Sequence, residues 1–101
     1  MKKKSLKKFS HRRYLPDKDS EGNIIEKYED KETKDEALIW PVTSKVQANM
    51  YGLRINDICN MHYYGDISIH KHDMIIYDDN NYKVISSKKY RRFLAIEIEK
   101  I

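Results

Sequence analysis

The sequence predicts an all-β chain: a small antiparallel β-barrel with at most one short helix, a long hairpin and an extended N-terminal arm. Three observations predict it. Along the last third, Leu94, Ile96 and Ile98 alternate with Ala95, Glu97 and Glu99, giving an extended strand one apolar face and one ionic face. Turn-forming residues at Pro16, Gly22-Asn23, Thr43-Ser44, Gly52, Gly65-Asp66 and Asp78 to Asn81 cut the chain into runs of strand length. Finally, 101 residues make one domain at most, and short strands joined by turns bury their faces and limit open flanks best by curling into a barrel or sandwich.

Taken in order, residues 1–13 read as a basic arm, with seven Lys/Arg and no acid. Residues 14–36 read as a charged hairpin and linker, with nine acids against four lysines. Within them, the runs Arg13-Tyr14-Leu15 and Ile24 to Tyr28 flank a polar turn from Asp17 to Asn23, and Glu29 to Glu36 forms a loop or a short polar helix. Residues 37–101 carry the core. Ala37 to Val42 is a β-type run in which Pro41 marks an edge or a bulge. Val46, Ala48 and Met50 alternate with polar residues, as a strand would. Ile55 to Tyr64 suits either a short helix or a strand. Met74 to Tyr77, a tight loop, and Tyr82 to Ser86 form a strand, turn and strand, and the terminal strand lies within Tyr90 to Ile101. A core of this size buries only about 60% of its unfolded surface. Either the lead adds a hairpin to it, or neighbouring subunits supply the missing burial.

Composition excludes several classes. No run approaches the roughly 18 apolar residues of a membrane span, and no signal-like apolar stretch follows the basic start, so a cytoplasmic origin without membrane insertion is expected. The single Cys59 permits no intramolecular disulfide and no four-cysteine zinc site. His70 and His72 would share a face with Asp73 nearby if that stretch were extended, but no third ligand has characteristic spacing and Lys71 sits between them, so no metal is expected. Cys59 lies between Ile58 and Met61 and reads as a core thiol rather than a nucleophile. Asp78-Asp79 falls on a hairpin tip and Glu97/Glu99 on a solvated strand face, and no phosphate loop, nucleophile elbow or zinc-protease motif is present. The expectation is a non-enzyme without cofactors.

Basic residues interleaved with aromatics are the strongest generic signal. Lys3, Lys4, Lys7, Lys8, Lys88 and Lys89 are candidates for phosphate contact, since cations near stacking rings suit a nucleic-acid backbone. The alternative is a solubilising tail and a strand guarded by charge. Eight tyrosines and one tryptophan are many for so small a core, and such residues are favoured at protein interfaces. Tyr14, Tyr28, Trp40, Tyr51, Tyr90, Arg91 and Arg92 are therefore candidates for subunit contacts.

From Trp40 onward the chain resembles the head-closure (stopper, or head-completion) proteins of tailed bacteriophages, small β-barrels that join head to tail. The likeness is carried by Pro41-Val42 with Val46 to Gly52, by Ile69 to Ile76, by Tyr82 to Ile85 and by Tyr90 to Leu94, while Asp19 to Asn23 resembles the family's N-terminal hairpin turn. The resemblance implies a structural component of the virion neck, made in the host cytoplasm and assembled as a homo-oligomeric ring, a dodecamer or a hexamer. Such a ring sits between the portal–adaptor complex and the tail proteins, closes the DNA exit after packaging and docks the tail. Lumen-facing lysines would then meet packaged DNA without reading its sequence. Two rivals remain: a tail terminator or tail-completion ring, and a small β-barrel that binds nucleic acid.

Overall fold

Alternation of apolar and polar residues decides where the strands lie. The computed structural model describes residues 6–42 and 45–101. β1 (Lys7–Arg12) turns Phe9 and His11 inward. β2 (Asp17–Lys18) and β3 (Ile24–Ile25) pair only with each other and form a hairpin apart from the rest. β4 (Thr33–Pro41) buries Ala37 and Ile39, and β5 (Ile58–Tyr63) buries Met61 and Tyr63. β6 (Met74–Tyr77), β7 (Asn80–Lys89) and β8 (Leu94–Lys100) add Ile75, Tyr82, Val84, Ile96 and Ile98. The apolar members of this set form one cluster at the centre of a closed barrel of order β1-β4-β5-β8-β7-β6, with β6 paired back to β1 and every pairing antiparallel.

The barrel divides the chain differently from the boundaries the charge blocks suggest. Residues 7–12, assigned to the arm, are the strand that closes the cylinder between β4 and β6. Residues 33–36, assigned to the linker, begin β4. The lead therefore contributes to the core, and it does so with a strand rather than with its hairpin. Phe9 and His11 are the inward anchors that the abundance of lysine obscures.

The second difference is at residues 45–57. Val46, Ala48 and Met50 lie in a helix, α1 (Lys45–Tyr51), followed by a 3-10 helix over Gly52–Asp57. The helical period is written in the polar residues. Gln47 and Tyr51, four apart, both reach Glu97 on β8, at 2.7 and 2.9 Å, and Gln47 also donates to Asn60 on β5. Arg54 then forks onto Glu99. Gly52, at a φ of 59°, ends the helix in the left-handed region open to glycine. Glu97 and Glu99 are thus the anchors of the helical segment and not a solvated face. The Thr43-Ser44 turn lies outside the described residues.

The tight loop between β6 and β7 shrinks to Asp78-Asp79, both left-handed at φ of 52° and 61°, the two-residue type I′ geometry that matches strand twist. At the far end of β5, Tyr63 is buried and its hydroxyl donates to Asp35 on β4 while accepting the Ile67 N–H at 3.0 Å. Burial, reinforced by Asp35, raises the Tyr63 pKa to about 12, so it stays a donor at any physiological pH. Gly65 makes this possible, since a Cβ there would sit 2.2 Å from the Tyr63 hydroxyl and 2.7 Å from the Asp35 carboxylate. Gly65→Ala is expected to cost about 2 kcal/mol, the range of overpacking, because the enclosed Tyr63 ring cannot swing away. Urea denaturation measures it, and an unchanged midpoint would refute this reading.

Candidate interaction surfaces

The hairpin is fixed at its root by one buried carboxylate. Asp73, 2% exposed, accepts from His11 Nε2 at 2.8 Å, from the Tyr14 N–H at 2.9 Å and from the His70 N–H at 2.9 Å. These donors come from β1, the chain just after it and the loop before β6, so Asp73 ties together the point where the hairpin leaves the barrel. Burial by itself pushes the carboxyl pKa up, but the hydrogen bonds from His11, His70 and Tyr14 prevail and hold it below its ordinary 3.8. Above this joint, Tyr14 packs against Tyr28 and His72, and backbone bonds join Leu15 to Lys27 and Glu29 to Arg13. The tip is closed by Asp19, whose carboxylate accepts the Glu21 and Asn23 N–H groups, with Gly22 at a φ of 85°. The result is an ordered projection that leaves Leu15, Ile24 and Ile25 exposed, Ile24 at 68%.

A second surface lies on the outside of β4 and β5 and around the β7–β8 turn. His62, outward on β5, has the Trp40 ring of β4 edge-on at 4.7 Å and Phe93 tilted against it at 4.7 Å. Phe93 in turn stacks with Tyr90 at 5.1 Å and meets Tyr64 at 5.4 Å. Burial lowers the His62 pKa, so the ring is neutral at pH 7 and behaves as one more aromatic. Lys88 lies 5.5 Å from the centre of the Tyr90 ring, and Lys89, Arg91 and Arg92 are exposed beside it. Five rings bordered by four cations make a continuous basic aromatic patch.

A third feature is the helical segment, where Met50 is 69% and Leu53 95% exposed. By contrast, Cys59 is half-buried and burial raises its pKa, the opposite of what an activated thiol needs. Lys71 and His72 form a turn, with His72 at a φ of 80°, so His70 and His72 do not share the face of an extended segment. Among the described residues no group of three or more His, Cys, Asp or Glu side chains is placed to hold a metal ion, and no helix is long and apolar enough to cross a membrane.

The residues singled out in the sequence separate into three groups. Trp40, Tyr90, Arg91 and Arg92 come together with Lys88 and Lys89 in the patch. Tyr14 and Tyr28 are spent on each other at the hairpin root, and Tyr51 on Glu97 and Arg54. Lys7 and Lys8 are exposed, but Lys8 borders a shallow hollow shared with Asp35, Glu36, Asp78 and Asp79, beside the turn where β7 starts. Lys88 and Lys89 end that strand, so the two lysine pairs do not form one surface. Lys3 and Lys4 lie outside the described residues. His62 and Asp73 were missed as organising residues. His62 pairs with Leu38 and lies diagonally from Trp40, so it emerges only once the β4–β5 register is known, and Asp73 carries no local signal.

No protein-family model matches the chain, and no curated protein matches it. Among solved structures, it is similar to the solution structure of protein SF1141 from Shigella flexneri 2a. The two are 17% identical with a TM-score of 0.65 over 99% of this chain and 96% of that one. At that identity the likeness concerns the fold alone.

Proposed function

We propose that this chain is a structural connector of a tailed-phage neck, a ring-forming stopper that closes the DNA exit below the portal–adaptor complex and presents a docking surface to the tail. One observation carries the reading. A barrel of 101 residues bears three unlike projecting or patch-like surfaces, an acidic hairpin with bare aliphatics, a basic aromatic patch and an apolar helix tip. A ring subunit needs two different lateral surfaces, because head-to-tail contacts are heterologous, and further surfaces for the components above and below it. The half-buried, unactivated Cys59 and the engagement of Glu97 and Glu99 with the helical segment support a structural rather than a catalytic role. The resemblance of the Trp40 to Leu94 blocks to head-closure proteins supports the same place in the virion.

Cryo-electron microscopy of particles made from the genome that encodes this chain tests the proposal. Density for the barrel is expected as a ring at the neck. Particles in which the chain lies in the tail favour the tail-completion alternative, and particles without it refute a virion role. The aromatic patch also favours a second reading, a barrel that binds single-stranded nucleic acid by stacking. That reading predicts sequence-tolerant binding that weakens steeply as salt rises.

A further inference from the structure

We propose that neighbouring copies join through the hairpin of one, seated by the face that carries Leu15 and Ile25 on the basic aromatic patch of the next. The inference deepens the connector reading and rests on it for the ring. Three observations argue for a second copy as the occupant. The surfaces are chemically complementary: the hairpin between Tyr14 and Tyr28 holds four acids against two lysines, and the patch is bordered by Lys88, Lys89, Arg91 and Arg92. Each repels its own kind, so patch cannot pair with patch nor hairpin with hairpin, and a two-fold contact built on either alone is disfavoured. Nor can one chain satisfy itself. The hairpin leaves from β1 and leans toward β7 through Lys83 and Glu26, 3.4 Å apart, whereas the patch is built on β4, β5 and the β7–β8 turn. Among the described residues no hydrogen bond, ion pair or aromatic contact joins the two.

The division of labour follows from the chemistry. Aliphatic side chains against Phe93, Tyr90 and Tyr64 supply burial, while Asp17, Asp19 and Glu21 facing the arginines and lysines set register and speed encounter. One such contact is small and weak. Closing a ring makes the last contact intramolecular, so weak links add to a stable assembly.

Nuclear magnetic resonance of two full-length variants tests this even if single contacts are only millimolar. One variant, Leu15→Asp with Ile25→Asp, keeps the patch and loses the hairpin surface. The other, Arg91→Glu with Arg92→Glu, keeps the hairpin and loses the patch. All four positions are exposed, so the barrel is retained, which circular dichroism checks. Adding the unlabelled patch variant to the labelled hairpin variant is expected to shift the resonances of Trp40, His62, Tyr64, Tyr90 and Phe93. Reversing the labels shifts residues 15–25. Neither variant perturbs a labelled copy of itself, and each binds itself at least about tenfold more weakly than it binds the other, a difference of about 1.4 kcal/mol. No shift at millimolar concentration overturns the proposal, as do shifts that map elsewhere. A patch that responds to an oligothymidylate and not to the hairpin-bearing copy overturns it in favour of nucleic acid. A chain found at the neck whose subunits meet by other residues defeats only this contact, whereas absence from the virion defeats the connector reading.

Discussion

Asp73→Ala is expected to lower the stability of the barrel by about 3 kcal/mol, because it strips the partner from three donors at once and leaves His11 buried with nothing to bond. For a chain of this length, that loss lowers the melting temperature by about 10 °C or more. Asp73→Asn keeps the shape and loses the charge, so its effect is smaller and isolates the electrostatic part. The carboxyl is held below 3.8 in the folded chain, so its ionised form adds stability that is fully present above that value. The contribution drains away as the pH falls through the lower, folded value. The gap between wild type and Asp73→Asn is therefore widest at neutral pH and closes in acid. Urea denaturation at pH 7 and at about pH 3 reads both the loss and its pH dependence. A gap that is constant across this interval means the charge on Asp73 is immaterial.

Tyr63→Ala is the second large effect, expected at about 4 kcal/mol. It empties a fully buried site and removes the edge-on contact with Phe9, whose ring centre lies 5.5 Å away, together with the link from β5 to Asp35 on β4. Tyr63→Phe separates the two contributions. It keeps the ring and leaves the Ile67 N–H without its acceptor, so about 1–2 kcal/mol is expected. The local consequence is as informative as the global one. Tyr64 follows directly on Tyr63 and packs on Phe93, so hydrogen exchange at residues 64–67 should rise in Tyr63→Phe while β7 and β8 stay protected. Uniform protection in that variant would mean the hydroxyl does not order the loop.

The barrel class was legible because strand periodicity is local. Leu94, Ile96 and Ile98 declare their shared face within five residues, and the Asp78-Asp79 turn declares its hairpin with two. β1 was hidden because lysines and arginines surround Phe9 and His11, and charge density outweighs a two-residue alternation. The helix at Lys45–Tyr51 was misread because Val46, Ala48 and Met50 alternate by chance. Its true signature, Gln47 with Tyr51, has meaning only once Glu97 stands opposite, some fifty residues later. The patch was half visible for the same reason. Tyr90 to Phe93 is contiguous, but Trp40 and His62 join it only through pairing registers that no local pattern fixes.

Closure of the cylinder has a consequence for how this molecule can assemble. Among the described residues, each of its six strands has a hydrogen-bonded neighbour on both sides over part of its length, so no barrel strand offers a whole bare flank for a foreign strand to extend. β2 and β3 each lack a partner on one side, and at two residues each they are too short to template a growing sheet. Recognition then rests mainly on side chains. A barrel of this kind can be held at high concentration with little tendency to fuse strand to strand into fibrils.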